Sequence, residues 1–299
     1  MRAMLSDPSL RKPQGALRGW FDERDPRGGR LKALVMLTHP GPSLLVTAVT
    51  VGAGAIAVRG VPSARLALQL AFIMLPAQLA FGAANDAFDA DLDRASKPHK
   101  PIVRRAVSRR AAIAIAVVGV CLSVGVTAST VPHALPLTLL GIGAGLSYDL
   151  GLKRTPLSVL TWWAGFLALP LGVNVVAGTG GAALAWAVPL TALLALMLHL
   201  ANSIPDLGGD AAGGVVSVPV LLGGRAAQIV MIAAGLGVAL LACLTPRPGP
   251  SATTLAAAAL LVCVLTLSSF VAPLRRRPFP ALAAASALLA VSWLAAVAG

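Results

Sequence analysis

The stretch AAIAIAVVGVCLSVGVTAST, residues 111–130, runs for twenty residues without a charge and follows directly on Arg109 and Arg110. About 20 mostly apolar residues in a row is what a helix needs to cross the hydrocarbon core of a bilayer. Eight further stretches of similar character lie outward from it, at 34–58, 65–84, 132–148, 157–177, 183–201, 226–244, 252–272 and 280–298. Those at 132–148 and 183–201 are short or interrupted by proline. The whole chain agrees with them: 57% of its 299 residues are hydrophobic and 12% are charged. A soluble domain carries roughly twice that share of charge. Aromatics make up only 4%, and the apolar content is mostly Ala, Leu, Val and Gly, small residues that let helices approach closely in lipid. The expected fold is an all-α membrane protein, nine transmembrane helices bundled around a central, lipid-accessible cavity.

Residues 1–30 mix Asp, Glu, Arg, Pro and Gly and have no apolar core. They read as a flexible polar arm rather than a signal peptide, with the membrane domain covering 31–299. Cys121, Cys243 and Cys263 sit in apolar stretches without CxxC spacing, which suits packing rather than a disulfide framework.

Basic residues number 24 and acidic ones 11, a net charge of +13. No soluble basic domain is present to use that charge on a nucleic acid. Membrane topology uses it instead. With the amino terminus inside, eight basic residues fall in the first inner segment, seven in 94–110, two at 153–154, one at 225 and three at 275–277, leaving Arg59, Arg65 and Arg247 outside. Such a bias follows the positive-inside rule. The expectation is a multi-pass protein of the cell membrane, its amino terminus cytoplasmic and its carboxyl terminus on the outer side.

The acids are placed differently. Beyond the arm only seven remain, Asp86, Asp89, Asp91, Asp93, Asp149, Asp206 and Asp210, all at inner ends of expected spans. Acids at membrane depth are costly and mark function by default. In the first cluster Asn85, Asp89 and Asp93 recur every four residues, a spacing that stacks them on one helix face, and Asp86 shares much of that face. A second cluster repeats the pattern with Asn202, Asp206 and Asp210, although Pro205 and Gly208-Gly209 threaten the helix there. Clustered carboxylates repel unless cations join them. Hard oxygen ligands in such groups suit Mg²⁺, which takes a few carboxylates together with phosphate oxygens. Two facing clusters could therefore clamp a diphosphate and stabilise it as a leaving group. The four histidines, His39, His99, His133 and His199, show no metal-ligand spacing.

The Asn-Asp-x-x-Asp-x-x-x-Asp pattern at 85–93 resembles the first aspartate-rich motif of the UbiA-type intramembrane prenyltransferases, and Asp206-x-x-x-Asp210 resembles their second. Lys97-Pro98-His99-Lys100-Pro101-Ile102 is similar to the basic loop after their first motif, and 214–223 to the stretch after their second. The resemblance spans roughly 31–299. It implies Mg²⁺-dependent transfer of an isoprenyl group from a prenyl diphosphate to an aromatic or related small acceptor. It implies that Asn85, Asp86, Asp89 and Asp93 hold one Mg²⁺-diphosphate group and that Asp206 and Asp210 hold another, supported by Asn202. The catalytic set it implies is Asp89, Asp93, Asp206 and Asp210.

Around this core stand residues with two readings each. Lys153, Arg154 and Lys100 suit diphosphate neutralisation, or topology alone. Tyr148, the single tyrosine, suits an interfacial anchor or a catalytic contact. Asp149 suits pairing with Lys153 or Arg154, or action on the acceptor. Asp91 falls off the motif and reads as solvated. His39-Pro40 suggests a kink with a polar wall residue. Trp162, Trp163 and Trp186 read as interfacial belt residues, or as tunnel-wall bulk that sets prenyl chain length. At Val103-Arg104-Arg105 the chain departs from the family's turn, and the arginines suit lipid headgroups or the binding of phosphates. Two other functions compete: a terpene cyclase on the same scaffold, which needs no acceptor, and a transporter, which releases no diphosphate. Acids repeated on one membrane side speak against the inverted repeats common in transporters.

Overall fold

The computed structural model describes residues 26–180, 182–245, 252–269 and 279–298, and these are helical with short connections. Eleven α-helices are present among the described residues: α1 Pro26–Leu37, α2 Pro40–Ala57, α3 Ala64–Ser96, α4 Arg109–Thr130, α5 Leu135–Leu150, α6 Ser158–Ala177, α7 Ala187–Ser203, α8 Leu207–Ala212, α9 Val218–Leu244, α10 Ala252–Ser268 and α11 Phe279–Ala298. Seven helical stretches are both long and apolar enough to cross a membrane. α5, at 16 residues, and α10, at 17, fall below that length. The protein is a multi-pass membrane protein built of helices alone in its described part. The expected arm lies mostly outside the described residues, although its last five residues, 26–30, are helical and open α1. Arg247 and Arg275–Arg277 also lie outside them.

Capping explains several boundaries. The side chain of Ser63 accepts from the Leu66 N–H at 3.2 Å, and that of Ser108 from the Ala111 N–H at 3.1 Å. Each satisfies one of the orphan donors at a helix start. At the end of α6, Gly178 takes a left-handed conformation, φ 68°.

The expected first span, 34–58, is not one helix. His39 adopts φ 48° and ψ 57°, a left-handed conformation, and Pro40 then opens α2. Proline disfavours helical geometry in the residue before it. α1 is thereby set apart from the spanning α2, and His39 is carried to the corner between them. Gly82 on α3 makes the corner possible, because a Cβ there would lie 2.7 Å from the backbone of Thr38.

The helices close a ring. α2 packs on α3, α3 on α4 and α5, α5 on α6, α6 on α7, α7 on α9, α9 on α10, α10 on α11, and α11 back on α2. The half made of α7, α9, α10 and α11 is filled by one apolar core that includes Met197, Leu200, Met231, Leu255, Val262 and Leu282. The expected central cavity is off-centre. It lies in the other half, walled by α2, α3, α5 and α6 with Ser123 of α4, and has a volume of about 380 Å³.

Pro76 sits inside α3, where it removes a backbone donor. The Ser123 hydroxyl donates to the Ile73 carbonyl at 2.6 Å in that turn, next to the Phe72 carbonyl that the proline leaves without its helical donor, and ties α4 to α3 there. Gly119 lets α4 come this close, since a Cβ there would lie 2.5 Å from the Pro76 carbonyl oxygen. Gly119→Ala should therefore lower stability by about 1–3 kcal/mol through overpacking. Gly125→Ala on the same helix, where a Cβ meets nothing within 4 Å, should cost nothing. Thermal unfolding of the two variants in detergent checks the contrast.

Candidate active site

α3 runs on past its apolar part and carries the first aspartate-rich motif in its last three turns. Its side chains divide between two surroundings. Asn85 and Asp89 turn to α5 and the connection that follows it. Asn85 Nδ2 donates to Asp149 Oδ1 at 2.9 Å, and the Lys153 ammonium lies 2.6 Å from Asp89 Oδ1 and 3.9 Å from Asp149 Oδ1. Asp86 and Asp93, 1% and 3% exposed, turn to the basic loop instead. The Lys100 ammonium bridges them, 2.7 Å from Asp86 Oδ1 and 2.6 Å from Asp93 Oδ2. His39 Nε2 also lies 3.1 Å from Asp86 Oδ1, and Lys97 lies 3.2 Å from Asp93 Oδ1. Asp91 stands apart and exposed, paired with Arg94 and Arg109, as its off-motif position suggested.

The second motif is not a copy of the first. α7 ends at Ser203, a single 3-10 turn covers Ile204–Asp206, and α8 then carries Asp210. The expected stacking of Asn202, Asp206 and Asp210 on one helix face is therefore broken. Pro205 is the physical cause, since its ring cannot continue the α7 ladder. Asn202 and Asp206 are exposed, and Asp210 is half-buried. Asp210 lies within electrostatic reach of Asp206 and of Lys97, so Lys97 stands between the two motifs. Tyr148 marks the same meeting point, with Asp89, Asp149 and Asp210 all within electrostatic reach of its hydroxyl. The backbone N–H of Val216 donates to the Arg154 carbonyl at 3.0 Å, tying the loop after the second motif to the Lys153 loop. The Arg154 side chain is exposed.

The acids do not gather into a ready cation site: among the described residues no group of three or more acidic, His or Cys side chains is arranged as metal ligands. Lysines neutralise them instead. Even so, the donor set fits Mg²⁺. It consists of hard carboxylate and amide oxygens, and Asp86 Oδ2 is buried without a hydrogen-bond partner, an open acceptor that a cation could fill.

The cavity opens from this cluster. Tyr148 and Asp149 form part of its inner end, and its wall continues outward past Phe81, Trp162, Phe166 and Gln78 to Leu70, Thr50 and Val176. Gly145 leaves room for the Phe81 ring, which a Cβ there would meet at 2.7 Å. Trp162 is not a belt residue. Its ring stacks on His199 at 5.6 Å and meets the edges or faces of Tyr148, Phe166 and Phe279. His199 is itself buried and fixed by Ser158 Oγ at 2.7 Å. These residues escaped sequence reasoning, because Phe81, Phe166 and His199 sit in apolar runs that look alike in any span. Trp163 is half-buried and donates its indole N–H to the Val188 carbonyl, whereas Trp186 is exposed.

The model of the UbiA prenyltransferase family matches residues 44–293. The chain belongs to the UbiA prenyltransferase family. It is similar to digeranylgeranylglyceryl phosphate synthase of Natronomonas pharaonis, 28% identical over 212 residues that make up 69% of this chain and 74% of that protein. The enzyme of the same name from Thermococcus gammatolerans is 29% identical over 230 residues, 70% of this chain and 75% of its own. Among solved structures, a UbiA homologue from Aeropyrum pernix K1 superposes with a TM-score of 0.69 at 22% identity, covering 82% of this chain and 94% of that one. A homologue from Archaeoglobus fulgidus bound to DMAPP and Mg²⁺ superposes with a TM-score of 0.67 at 16% identity, covering 89% and 99%. This UbiA member is thus a membrane-embedded prenyltransferase whose apolar cavity meets the cluster of acids and lysines at Asp149.

The lysine bridge carries a pH signature. Burial opposes the charge on Lys100, but hydrogen bonds and attraction from Asp86 and Asp93 outweigh it and hold the pKa above the ordinary lysine value of 10.5. A raised pKa in the folded state means that the bridge stabilises fully below 10.5 and is lost as pH rises through the higher folded value. Wild-type stability should therefore show no loss from this group through neutral pH and a fall only in strong alkali. Lys100→Met leaves two buried carboxylates without their shared partner. It should cost about 3–5 kcal/mol, read from thermal unfolding in detergent across pH.

Proposed function

We propose that this UbiA member catalyses Mg²⁺-dependent transfer of an isoprenyl group from a prenyl diphosphate to an aromatic or related small acceptor, releasing diphosphate. The single observation that carries this reading is that Asp149, in the wall of a long apolar cavity, joins that cavity to the cluster of acids and lysines through Asn85 and Lys153. A prenyl diphosphate has the matching polarity, a charged head and an apolar tail. The likeness to a homologue solved with DMAPP and Mg²⁺ supports it. The name of the curated relatives describes a product with a glyceryl phosphate core, so a glyceryl phosphate acceptor belongs beside the aromatic ones in any panel.

In this reading Asn85, Asp86, Asp89 and Asp93 hold Mg²⁺ on one side of the diphosphate, and Asp206 and Asp210 hold it on the other, with Asn202 in support. The bound ions supply charge neutralisation of the departing diphosphate. Lys153 and Lys100, now paired with carboxylates, turn part of their charge to phosphate oxygens, and Arg154 adds bidentate contacts. The Phe81, Tyr148, Trp162 and Phe166 rings wall the inner part of the cavity, exclude water and offer π-faces to the allylic cation left behind. From Asn85 to Leu70 along α3 is about 22 Å at 1.5 Å per residue, room for a chain of several isoprene units. α5 and α10 complete nine crossings, with the amino terminus cytoplasmic and the carboxyl terminus outside.

Asp89→Ala and Asp206→Ala should each abolish diphosphate release while the protein still inserts in the membrane. Near-normal Mg²⁺-dependent activity in either would sink the site assignment. The wild type should release diphosphate only when an acceptor is supplied; a terpene product from prenyl diphosphate alone would make it a cyclase. Gly172 lines the outer part of the cavity, where a Cβ would meet nothing closer than 3.9 Å. Gly172→Leu should therefore depress turnover of long prenyl donors far more than that of a five-carbon donor, measured as a ratio of kcat/KM values.

A further inference from the structure

Asp149 belongs to neither aspartate-rich motif, yet it is buried, 7% exposed, in the wall of the cavity. A carboxylate at that depth is costly unless bonded or paired. Its Oδ1 accepts the Nδ2–H of Asn85 at 2.9 Å and lies 3.9 Å from the Lys153 ammonium. Lys153 in turn sits 2.6 Å from Asp89. Through one oxygen Asp149 therefore meets the amide at the head of the first motif and the cation on its middle carboxylate.

The Asn85 amide has a donor side and an acceptor side. A carboxylate only accepts, so the nitrogen is the side that faces Asp149. The carbonyl oxygen is turned away and becomes what Asn85 offers to a cation. Flipped, the same amide would offer N–H groups, which repel a metal ion. We infer that Asp149 is a positioning residue: it locks the Asn85 amide with its oxygen presented for Mg²⁺. The inference rests on the Mg²⁺-diphosphate reading above. Outer-shell partners that orient a metal ligand are worth about 10–100-fold in metal affinity.

The test needs no turnover. Thermal unfolding of the full-length protein in detergent is followed while Mg²⁺ is titrated in the presence of a non-ionising thio-analogue of a prenyl diphosphate. Asp149→Leu keeps the bulk without an acceptor oxygen, and its Mg²⁺ half-point for protection should rise about 10–100-fold. Asp149→Asn keeps an oxygen for the Asn85 N–H, and its half-point should stay far closer to wild type. Combined with Asn85→Ala, the Asp149→Leu change should add less than about twofold, because its effect runs through Asn85. An unshifted half-point in Asp149→Leu overturns the proposal. So does an Asp149→Asn variant as impaired as Asp149→Leu, or a full additional shift on top of Asn85→Ala. Should Asp149→Leu not fold, Asp149→Ala against Asp149→Asn makes the same comparison. A wild type that Mg²⁺ and the analogue fail to protect defeats the diphosphate reading and this inference together; a protected wild type with an insensitive Asp149→Leu defeats the inference alone.

Discussion

A buried carboxylate in an apolar bundle must find a positive partner, and here lysine provides it. Lys100 spans Asp86 and Asp93, and Lys153 holds Asp89 beside Asp149. Desolvating several like charges within three helical turns would otherwise be prohibitive. The pairing orders much of this end of the bundle. It draws the 97–108 loop onto α3, brings the His39 corner against Asp86, and holds the end of α5 against Asn85. The same lysines explain why the acids are not gathered as ready metal ligands. They are held as ion pairs that a divalent cation and a diphosphate would have to rearrange.

The two halves of the helix ring divide the work. α7, α9, α10 and α11 share one apolar core and present the second motif on an interrupted helix end. α2, α3, α5 and α6 leave a cavity, partly because Gly141, Gly145, Gly165 and Gly172 contribute no side chain to its wall. Trp162 joins the halves, its ring between Tyr148 on one side and His199 of α7 on the other. The polar cluster, the cavity mouth and the core are thus mechanically continuous.

Much of this was legible before folding was considered. Uncharged twenty-residue runs announce spans, because lipid admits few other backbone solutions. The four-residue spacing of Asn85, Asp89 and Asp93 marks one acid-bearing helix end, because acids are scarce elsewhere in the chain. Less legible were breaks in otherwise apolar helices. The run at 34–58 shows a kink at His39-Pro40, but not that a left-handed residue there divides it into two separate helices. Asn202, Asp206 and Asp210 repeat the spacing of the first motif, but Pro205 takes the helix away from beneath them.

The sequence by itself determined that this chain lives in a membrane and that its acids beyond residue 30 fall in three short segments at the ends of its apolar runs. Hydropathy, charge bias and residue spacing are local, and each has one inexpensive physical solution. Only the tertiary structure decided the partnerships: that Lys100 rather than Arg104 or Arg105 bridges Asp86 and Asp93, that Asp149 takes the Asn85 amide, and that Trp162 faces the cavity instead of the lipid interface. Those choices join residues tens of positions apart. They depend on which helices meet, and nothing in a uniform run of Ala, Leu and Val encodes that locally.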